Sequence, residues 1–596
     1  MESTPSYPHV NKKLAKLLVS SSGIAELHVN GLPTRTLEDT PWSRWYLRTH
    51  FEHLQADAAG IAWYKKHDPL EPIAIKGLIS TPRPYQWLGI RRMIIENCAD
   101  WLDMGLGKSL ISLAFSLYCL EHGLGQHFLI LCPPTIFVSW LDEVKKHLDP
   151  ALNAETYIVH GPKKLKILAE LKASKTRSPK FVLTSYETLA NIREHLESLP
   201  ITCIFLDESS KVKNTTAQRT QATHALGIAL PKARKFCLSG TPSTKNPLGL
   251  YSQYEFLGDG FSGSQSYAIF ELKYAVSKLF MMVRLPHGKV TSVDADDPAS
   301  ASYWLQTHYP PKSNVSYAQL GYSFERAPKN AKHIKIMNFH RRNIRFKNLE
   351  DLHEVSQRRA YTLYKTDVLK DLPPKTRMKR EIELSDEQRK AYREVLDTNR
   401  TLIGKIPFSF HDMGSPYAKL HQIANGYIRN TDGSIHFFKS QPKMLELEQI
   451  LAESGDQKLI VWSPFRPQIA QAVAFLKSAD IECVELHGDV PVDKRGDIVH
   501  AFQDPAGPRV LVANPAVGGM GLNLTCANLE TFLTNWFQPD ARIQAEDRCW
   551  RIGQSNAVTI VDLVATATLE VEILRKTLAE ITLEKQIISM TACMGG

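Results

Sequence analysis

The sequence predicts an α/β protein of two domains, each a parallel sheet covered on both faces by helices, with helical insertions between them and a small N-terminal unit in front. Three observations carry this expectation. Two stretches repeat one texture: short runs rich in Val, Ile, Leu and Phe, each followed by a polar or Gly/Pro turn and then a helix-like segment. The section between them loses that alternation. Finally, 596 residues with 43% hydrophobic and 22% charged content hold enough apolar material for several packed cores, which excludes a disordered or collagen-like chain.

In chain order, residues 1–80 read as a separate small unit. Its Trp42, Trp45, Tyr46, Trp63 and Tyr64 are explained more simply by a small hydrophobic core than by a binding platform. The first α/β domain spans residues 81–257, with strands expected over Phe128–Cys132, Glu155–Val159, Phe181–Thr184, Cys203–Leu206 and Phe236–Leu238. Residues 258–440 turn polar and basic, and in places helical, as over Ser385–Thr398. Within that section Arg326–Leu349 has no acidic residue but carries Arg326, Lys329, Lys332, Lys335, Arg341, Arg342, Arg345 and Lys347, with Phe339 and Phe346 interleaved. Such a run either neutralises phosphates and sets rings against sugars or bases, or is a solvated protruding helix or hairpin. The second α/β domain spans 441–568, with strands expected over Leu459–Trp462, Cys483–Leu486, Val510–Ala513, Thr531–Asn535 and Val558–Val564, and 569–596 read as a C-terminal helical brace.

Several classes drop out. The longest apolar stretch, Phe128–Val138, is broken by Pro133 and Pro134 and falls far short of the roughly 20 residues a membrane span needs, so no membrane partner is expected. The N-terminus has no basic start, apolar core and small-residue cleavage site, so secretion is not expected. None of the nine cysteines is in CxxC spacing, which suggests neither a disulfide framework nor a zinc site. A reducing, intracellular compartment is expected: cytoplasmic in a bacterial cell or virus-infected host, nuclear in a eukaryote. Seventy-two Lys and Arg against 62 Asp and Glu give a net charge of +10, whose sign favours a polyanionic partner.

The most specific chemical feature is Asp103-Met104-Gly105-Leu106-Gly107-Lys108-Ser109, ahead of the helical stretch Leu110–Glu121. Glycines let backbone N–H groups wrap phosphate oxygens at a helix N-terminus. Lys108 then reaches the β and γ phosphates, and the Ser109 hydroxyl binds Mg²⁺. Leu102 stands where the generic phosphate-loop pattern wants its first glycine, so a second site is needed. Ile204-Phe205-Leu206-Asp207-Glu208 provides it: an apolar strand ending in two carboxylates, Asp207 to hold Mg²⁺ and Glu208 to orient and deprotonate an attacking water. Taken alone, such a pair is equally an ordinary surface turn.

The second domain has no phosphate loop. It offers Gln544-Ala545-Glu546-Asp547-Arg548-Cys549-Trp550-Arg551-Ile552-Gly553-Gln554, in which Arg548 and Arg551 are spaced to share one helix face and to stabilise charge on a γ-phosphate held by the other domain. The alternative is a salt-bridged helix with Glu546 and Asp547. Upstream, Gly518-Gly519-Met520-Gly521-Leu522-Asn523-Leu524 is a second glycine-rich turn, either a close approach to a phosphate chain or a flexible loop.

These residues resemble the Swi/Snf-type ATPases of helicase superfamily two, whose signature blocks are matched in order from Arg83 to about Glu572. Arg83-Pro84-Tyr85-Gln86 looks like the adenine-reading glutamine motif, Asp103 to Ser109 like motif I, and Leu131-Cys132-Pro133 with Trp140 like motif Ia. Thr184 to Leu189 is similar to motif Ib, Asp207 to Asn214 to motif II, and Leu238 to Pro242 to motif III. Val461 to Phe465, Gly518 to Thr525 and Gln544 to Gln554 look like motifs IV, V and VI. The resemblance implies two RecA-like domains closing on ATP and Mg²⁺, with DNA, duplex or branched, lying across both. It assigns catalysis to Lys108, Asp207, Glu208, Arg548, Arg551 and Gln544. It assigns nucleotide binding to Arg83, Gln86, Met104, Gly105, Leu106, Gly107, Lys108, Ser109 and Gly521. Thr184, Ser185 and Tyr186, with Gly518, Gly519 and Asn523, are expected on the sugar-phosphate track. Ser209-Ser210 departs from the family's usual Ala-His, which moves any coupling there from an imidazole to a hydroxyl. The absence of a recognisable histone-reading or zinc module suggests a compact bacterial or viral member.

The leading expectation is thus an ATP-driven translocase on duplex DNA. Its rivals are a strand-separating DNA or RNA helicase and a non-catalytic nucleic-acid scaffold.

Overall fold

The computed structural model describes residues 15–19, 24–29, 35–38, 73–243, 246–284, 290–294, 335–369, 371–398, 400–403, 406–409, 416–430, 432–491, 494–518 and 522–589. The expected aromatic core at Trp42, Trp45, Tyr46, Trp63 and Tyr64 lies outside these residues, as do Arg326, Lys329, Lys332, Gly519, Met520 and Gly521.

Seven parallel strands make the first lobe's sheet, in the order Ala360–Leu363, Cys98–Leu102, Arg234–Leu238, Ile201–Asp207, His127–Leu131, Lys180–Thr184 and Glu155–Ile158. His127–Leu131 and Lys180–Thr184 are buried along their whole length, as strands covered on both faces must be. The five expected strands are all present, within a residue or two at their ends.

Two members of this sheet do not read as strands in the sequence. Cys98–Leu102 is fully buried and leads straight into the phosphate loop, yet Asp100 interrupts its apolar run. Asp100 is tolerated there because burial pushes its carboxyl up to about 7, against the opposing pull of Arg92 and Lys108, so much of the charge is lost near neutrality. Ala360–Leu363 comes from the middle section, more than 250 residues beyond its partner strand, and is fixed by Tyr361 Oη donating to the Tyr85 carbonyl at 2.7 Å.

The second lobe has a six-stranded parallel sheet in the order Lys375–Ile382, Val558–Ala565, Leu529–Phe532, Leu459–Trp462, Val510–Ala513 and Cys483–Leu486. Its strand expected at Thr531–Asn535 begins and ends earlier, at Leu529–Phe532. Lys375–Ile382 is again a contribution from the middle section. It escapes the apolar-run criterion because it is an edge strand, solvated along most of its length. Residues 364–374 therefore form the covalent link between the lobes, one end leaving the edge of each sheet. Apolar clusters fill both faces of the second sheet, centred on Leu447, Ile469 and Leu476 on one side and Phe502, Leu524 and Cys549 on the other.

Helix Asp386–Thr398 begins at Ser385, whose Oγ accepts from the Gln388 backbone N–H while Gln388 Oε1 accepts from that of Ser385, a reciprocal cap. The brace expected at the C-terminus is helix Leu569–Ser589. Its Glu570 is buried and accepts from Lys443 Nζ at 2.8 Å and Thr534 Oγ1 at 2.7 Å.

Residues 264–352 form a separate compact unit, with helix Tyr267–Tyr274 and an antiparallel sheet ordered Val290–Asp294, Ala275–Arg284 and Lys335–Phe346. Arg341, Arg342 and Arg345 thus lie on a strand, facing Leu279, Lys278 and Val276 in register, so the described part of this basic run is an antiparallel strand and not a helix. Residues 15–38 contribute three short antiparallel strands.

Candidate active site

Three strands adjacent in the first sheet, Cys98–Leu102, Arg234–Leu238 and Ile201–Asp207, end side by side, so the turns that follow them converge at the carboxyl edge where α/β sheets bind ligands. The first turn is the phosphate loop. Gly105 and Gly107 have φ of 85° and 87°, in the left-handed region that favours glycine. A Cβ on Gly107 would meet Gln86 Nε2 at 2.2 Å. Gly107 is also the N-cap of helix Lys108–Glu121, so the helix opens with free N–H groups aimed into the loop. Lys108 Nζ donates to the Leu102 carbonyl at 2.7 Å, folded over the loop that a phosphate would fill.

Gln86 has a structural duty here. Its Oε1 accepts from the Arg83 backbone at 2.8 Å, capping helix Pro84–Ile95, and its Nε2 donates to the Leu106 carbonyl at 3.0 Å, which braces the loop. Arg83 itself is exposed at the N-cap of helix Pro84–Ile95.

The second turn holds the carboxylates. Asp207 Oδ2 accepts from Trp140 Nε1 at 2.8 Å and Oδ1 from the Glu208 backbone at 3.0 Å. Glu208 has φ of 54°, a left-handed conformation that a residue with a side chain adopts only under constraint. Its Oε2 is buried without a hydrogen-bond partner among the described residues. Burial, and then repulsion from Asp207, push the Glu208 carboxyl up to about 7; burial also raises Asp207, against the pull of Lys108 and the Trp140 hydrogen bond. A carboxyl poised near neutrality with an empty acceptor atom can take a proton from water.

The third turn, Ser239 to Ser243, packs on the first: a Cβ on Gly240 would lie 3.1 Å from Met104 Cγ. It is also tied to the carboxylate turn. Ser209 Oγ donates to Gln253 Oε1 at 2.6 Å, and Gln253 Nε2 donates to the Pro242 carbonyl at 3.0 Å. One hydroxyl of the unusual Ser209-Ser210 pair therefore does join two of the site's turns.

The second lobe closes this edge. Arg548 Nη2 lies 3.6 Å from Met104 Sδ, and a Cβ built on Gly105 would lie 3.4 Å from Arg551 Cβ and 3.7 Å from its Nε. Both guanidinium groups also donate to the Leu522 carbonyl, at 3.3 and 3.1 Å, which ties them to the end of the glycine-rich turn. Burial, then the neighbouring Arg551, bring Arg548 down to about 10. Buried Arg548 and half-buried Arg551, mutually repelling, lie near half-buried Asp207 and Glu208, themselves mutually repelling, in a site that an anionic ligand with its counter-cation would relax. Gln544 is half-buried on helix Pro539–Glu546.

The expected nucleic-acid contacts fare differently. Thr184, Ser185 and Tyr186 are all buried. Thr184 Oγ1 donates to the Val159 carbonyl, Ser185 Oγ caps helix Tyr186–Glu197, and Tyr186 Oη donates to the Asp207 carbonyl at 2.8 Å. Their side chains serve the interior of the lobe, and Tyr186 supports the carboxylate turn. Asn523 is exposed and Gly518 ends helix Pro515–Gly518, whereas Gly519 and Gly521 lie outside the described residues. Trp140 and Gln253 gained roles that no spacing in the sequence indicates, since each acts on a turn far away along the chain.

A phosphate loop and two carboxylates on one parallel sheet are met by arginines from a second, so the candidate site is built from both lobes. The family model described as SNF2-related domain matches residues 98–443, more than half of the chain, and that described as helicase conserved C-terminal domain matches residues 442–553. The chain belongs to the SNF2-related family. It is 25% identical over 571 residues to TATA-binding protein-associated factor mot1 of Aspergillus fumigatus, covering 84% of this chain and 26% of that protein. It is 25% identical over 515 residues to DNA excision repair protein ERCC-6-like of Bos taurus, covering 81% and 39%. The chain therefore spans well under half the length of these relatives. Among solved structures it is similar to the Sulfolobus solfataricus SWI2/SNF2 ATPase core in complex with dsDNA, at 22% identity and a TM-score of 0.36, over 87% of this chain and 95% of that one. Among the described residues no helix is long and apolar enough to cross a membrane.

Proposed function

We propose that this chain is a nucleic-acid-stimulated ATPase that turns hydrolysis into movement along duplex DNA and so remodels DNA or protein–DNA complexes. The observation that carries the reading is the approach of Arg548 and Arg551 to Met104 and Gly105, which makes one site out of two lobes. The residues fit Mg²⁺ and ATP. Glycines leave room where a Cβ would intrude, Glu208 Oε2 is an orphaned buried acceptor, and Ser109 and Asp207 are oxygen donors suited to a hard cation. Mg²⁺, when bound, neutralises charge on the phosphates. Lys108 Nζ exchanges the Leu102 carbonyl for phosphate oxygens, Glu208 accepts the proton of the attacking water at Oε2, and the two guanidinium groups hold the charge of the transferring phosphoryl group. Once the cleaved inorganic phosphate departs, its charge leaves the cleft and the arginines lose their counter-charge, so the lobes part and the grip on a strand alternates.

Arg341, Arg342 and Arg345, on one strand of the separate unit, and Asn523, beside the glycine-rich turn, are the residues we assign to the phosphate track. Such a motor works where DNA is, in the cytoplasm of a bacterium or infected host or in the nucleus of a eukaryote. A compact bacterial or viral origin draws no support from the relatives named above.

The test is ATP turnover with single-stranded, duplex, forked and four-way DNA and with RNA. Duplex should stimulate most, with no strand displacement. Unwinding of tailed substrates would instead make the protein a strand-separating helicase, and no phosphate release with any polynucleotide would make it a scaffold.

A further inference from the structure

The segment linking the lobes contains a buried cation that the reaction as described above does not use. Lys365 lies just beyond edge strand Ala360–Leu363 and its side chain is 1% exposed. Its backbone N–H donates to Asp103 Oδ2 at 2.9 Å, the acid that opens the phosphate loop. Its Nζ crosses to the other lobe, pairing with Asp547 Oδ1 at 2.9 Å and donating to the Trp550 carbonyl at 2.7 Å. Asp547 immediately precedes Arg548, and Trp550 immediately precedes Arg551. A single residue therefore touches the phosphate loop with its main chain and the neighbours of both arginines with its side chain. The linker is fastened again a few residues on, where Trp550 Nε1 donates to the Pro373 carbonyl at 2.8 Å and Lys375 Nζ sits 4.4 Å from the Trp550 ring centre.

We propose that Lys365 is a positioning residue for hydrolysis, a pin that sets the arginine pair in register with the phosphate loop when the lobes close. The proposal rests on the ATPase reading above and extends it to a residue outside the loop, carboxylate and arginine turns. The physical reason is distance sensitivity. Arginines carried on a different lobe stabilise transferring charge only if the two lobes meet within a fraction of an ångström, and a misplacement of about 1 Å costs on the order of a hundredfold in rate. Exposed interlobe pairs cannot set such a register: Lys213 and Asp540 meet at 3.6 Å with both side chains partly solvated, where an ion pair is weak and mobile. Lys365, desolvated and bonded at both ends, is fixed in direction as well as distance.

The test compares Lys365→Met, Asp547→Asn and the double variant in the full chain. Removing one partner of a buried ion pair strands the other, so either single change can lower the melting temperature; removing both charges takes that penalty away. If Lys365 is the pin, the double variant melts near wild type and binds ATP within about threefold of it. Its DNA-stimulated kcat still falls about tenfold or more, because the bond to the Trp550 carbonyl is gone. If the double variant regains both melting temperature and kcat, Lys365 is merely structural and the proposal is overturned. Wild-type protein that hydrolyses no ATP defeats the ATPase reading instead, so the two failures are distinct.

Discussion

The two lobes share an architecture and divide the chemistry, and the turn after one strand in each shows why. In the first lobe Cys98–Leu102 is followed by Gly105 and Gly107 in left-handed conformations, which leaves backbone N–H groups unengaged at the start of a helix. In the second lobe Leu459–Trp462 is followed by Ser463, Pro464 and Phe465 ahead of helix Arg466–Ser478. There Ser463 Oγ accepts from the Phe465 backbone at 3.1 Å and donates to Gln468 Oε1 at 2.6 Å, so the turn is bonded within itself, and Pro467 in the first turn of the helix has no N–H to give. The second lobe instead contributes Arg548 and Arg551 from the turn that follows helix Pro539–Glu546, not from the shared helix face that their spacing suggests. A parallel sheet thus supplies the platform, while the few residues at its carboxyl edge decide whether a lobe cradles a phosphate or completes someone else's cradle.

That division makes the lobes separable by mutation. The largest effect belongs to the cradle. Lys108→Ala removes the cation that meets the phosphates, so nucleotide titration should show weakened binding and phosphate release should vanish; ordinary turnover would mean that another loop holds the nucleotide. Glu208→Gln comes next. It keeps the shape and the hydrogen-bonding reach but cannot accept a proton, so ATP binding should persist while hydrolysis falls by about a thousandfold, within the range for loss of a general base.

The same carboxyl predicts a pH profile. Burial, and then Asp207, disfavour the charge on Glu208 and push its carboxyl up to about 7. Below that pH it is protonated and cannot act as a base, so kcat/KM should fall about tenfold per unit as the solution is acidified from 7 and level off above it. A flat profile between pH 5 and 7 would assign the proton to another group. The smallest effect is expected at Trp140→Phe, which deletes only the indole donor to Asp207 Oδ2; loss of one hydrogen bond worth about 1 kcal/mol should lower kcat roughly fivefold with little change in KM.

How far the sequence reveals this molecule depends on how local each signal is. The runs around Lys108, Asp207-Glu208 and Arg548 to Arg551 could be singled out as candidates because each is short and local, and the structure brings Met104 and Gly105 of the first against the arginines. The strands Val510–Ala513 and Leu459–Trp462 were legible because both faces are buried and every residue is apolar or aromatic. Cys98–Leu102 was not, since Asp100 looks like a surface residue until burial is known to raise its carboxyl. Lys375–Ile382 and Ala360–Leu363 were hidden for a different reason: each joins a sheet whose other strands are far away in sequence, and parallel pairing leaves no hairpin signal at the turn. The duties of the Thr184, Ser185 and Tyr186 side chains, bonded to Val159, Thr188 and Asp207 inside the lobe, were likewise hidden, because none of these partners is marked by spacing.

The most direct measurement of the account is turnover by a variant in which Arg548 and Arg551 are both replaced by Ala, with ATP affinity measured alongside. If the second lobe completes the site, ATP should bind within a few-fold of wild type, while DNA-stimulated hydrolysis drops at least about a hundredfold. Wild-type hydrolysis by that variant would contradict the account, leaving a nucleotide site that belongs to the first lobe alone.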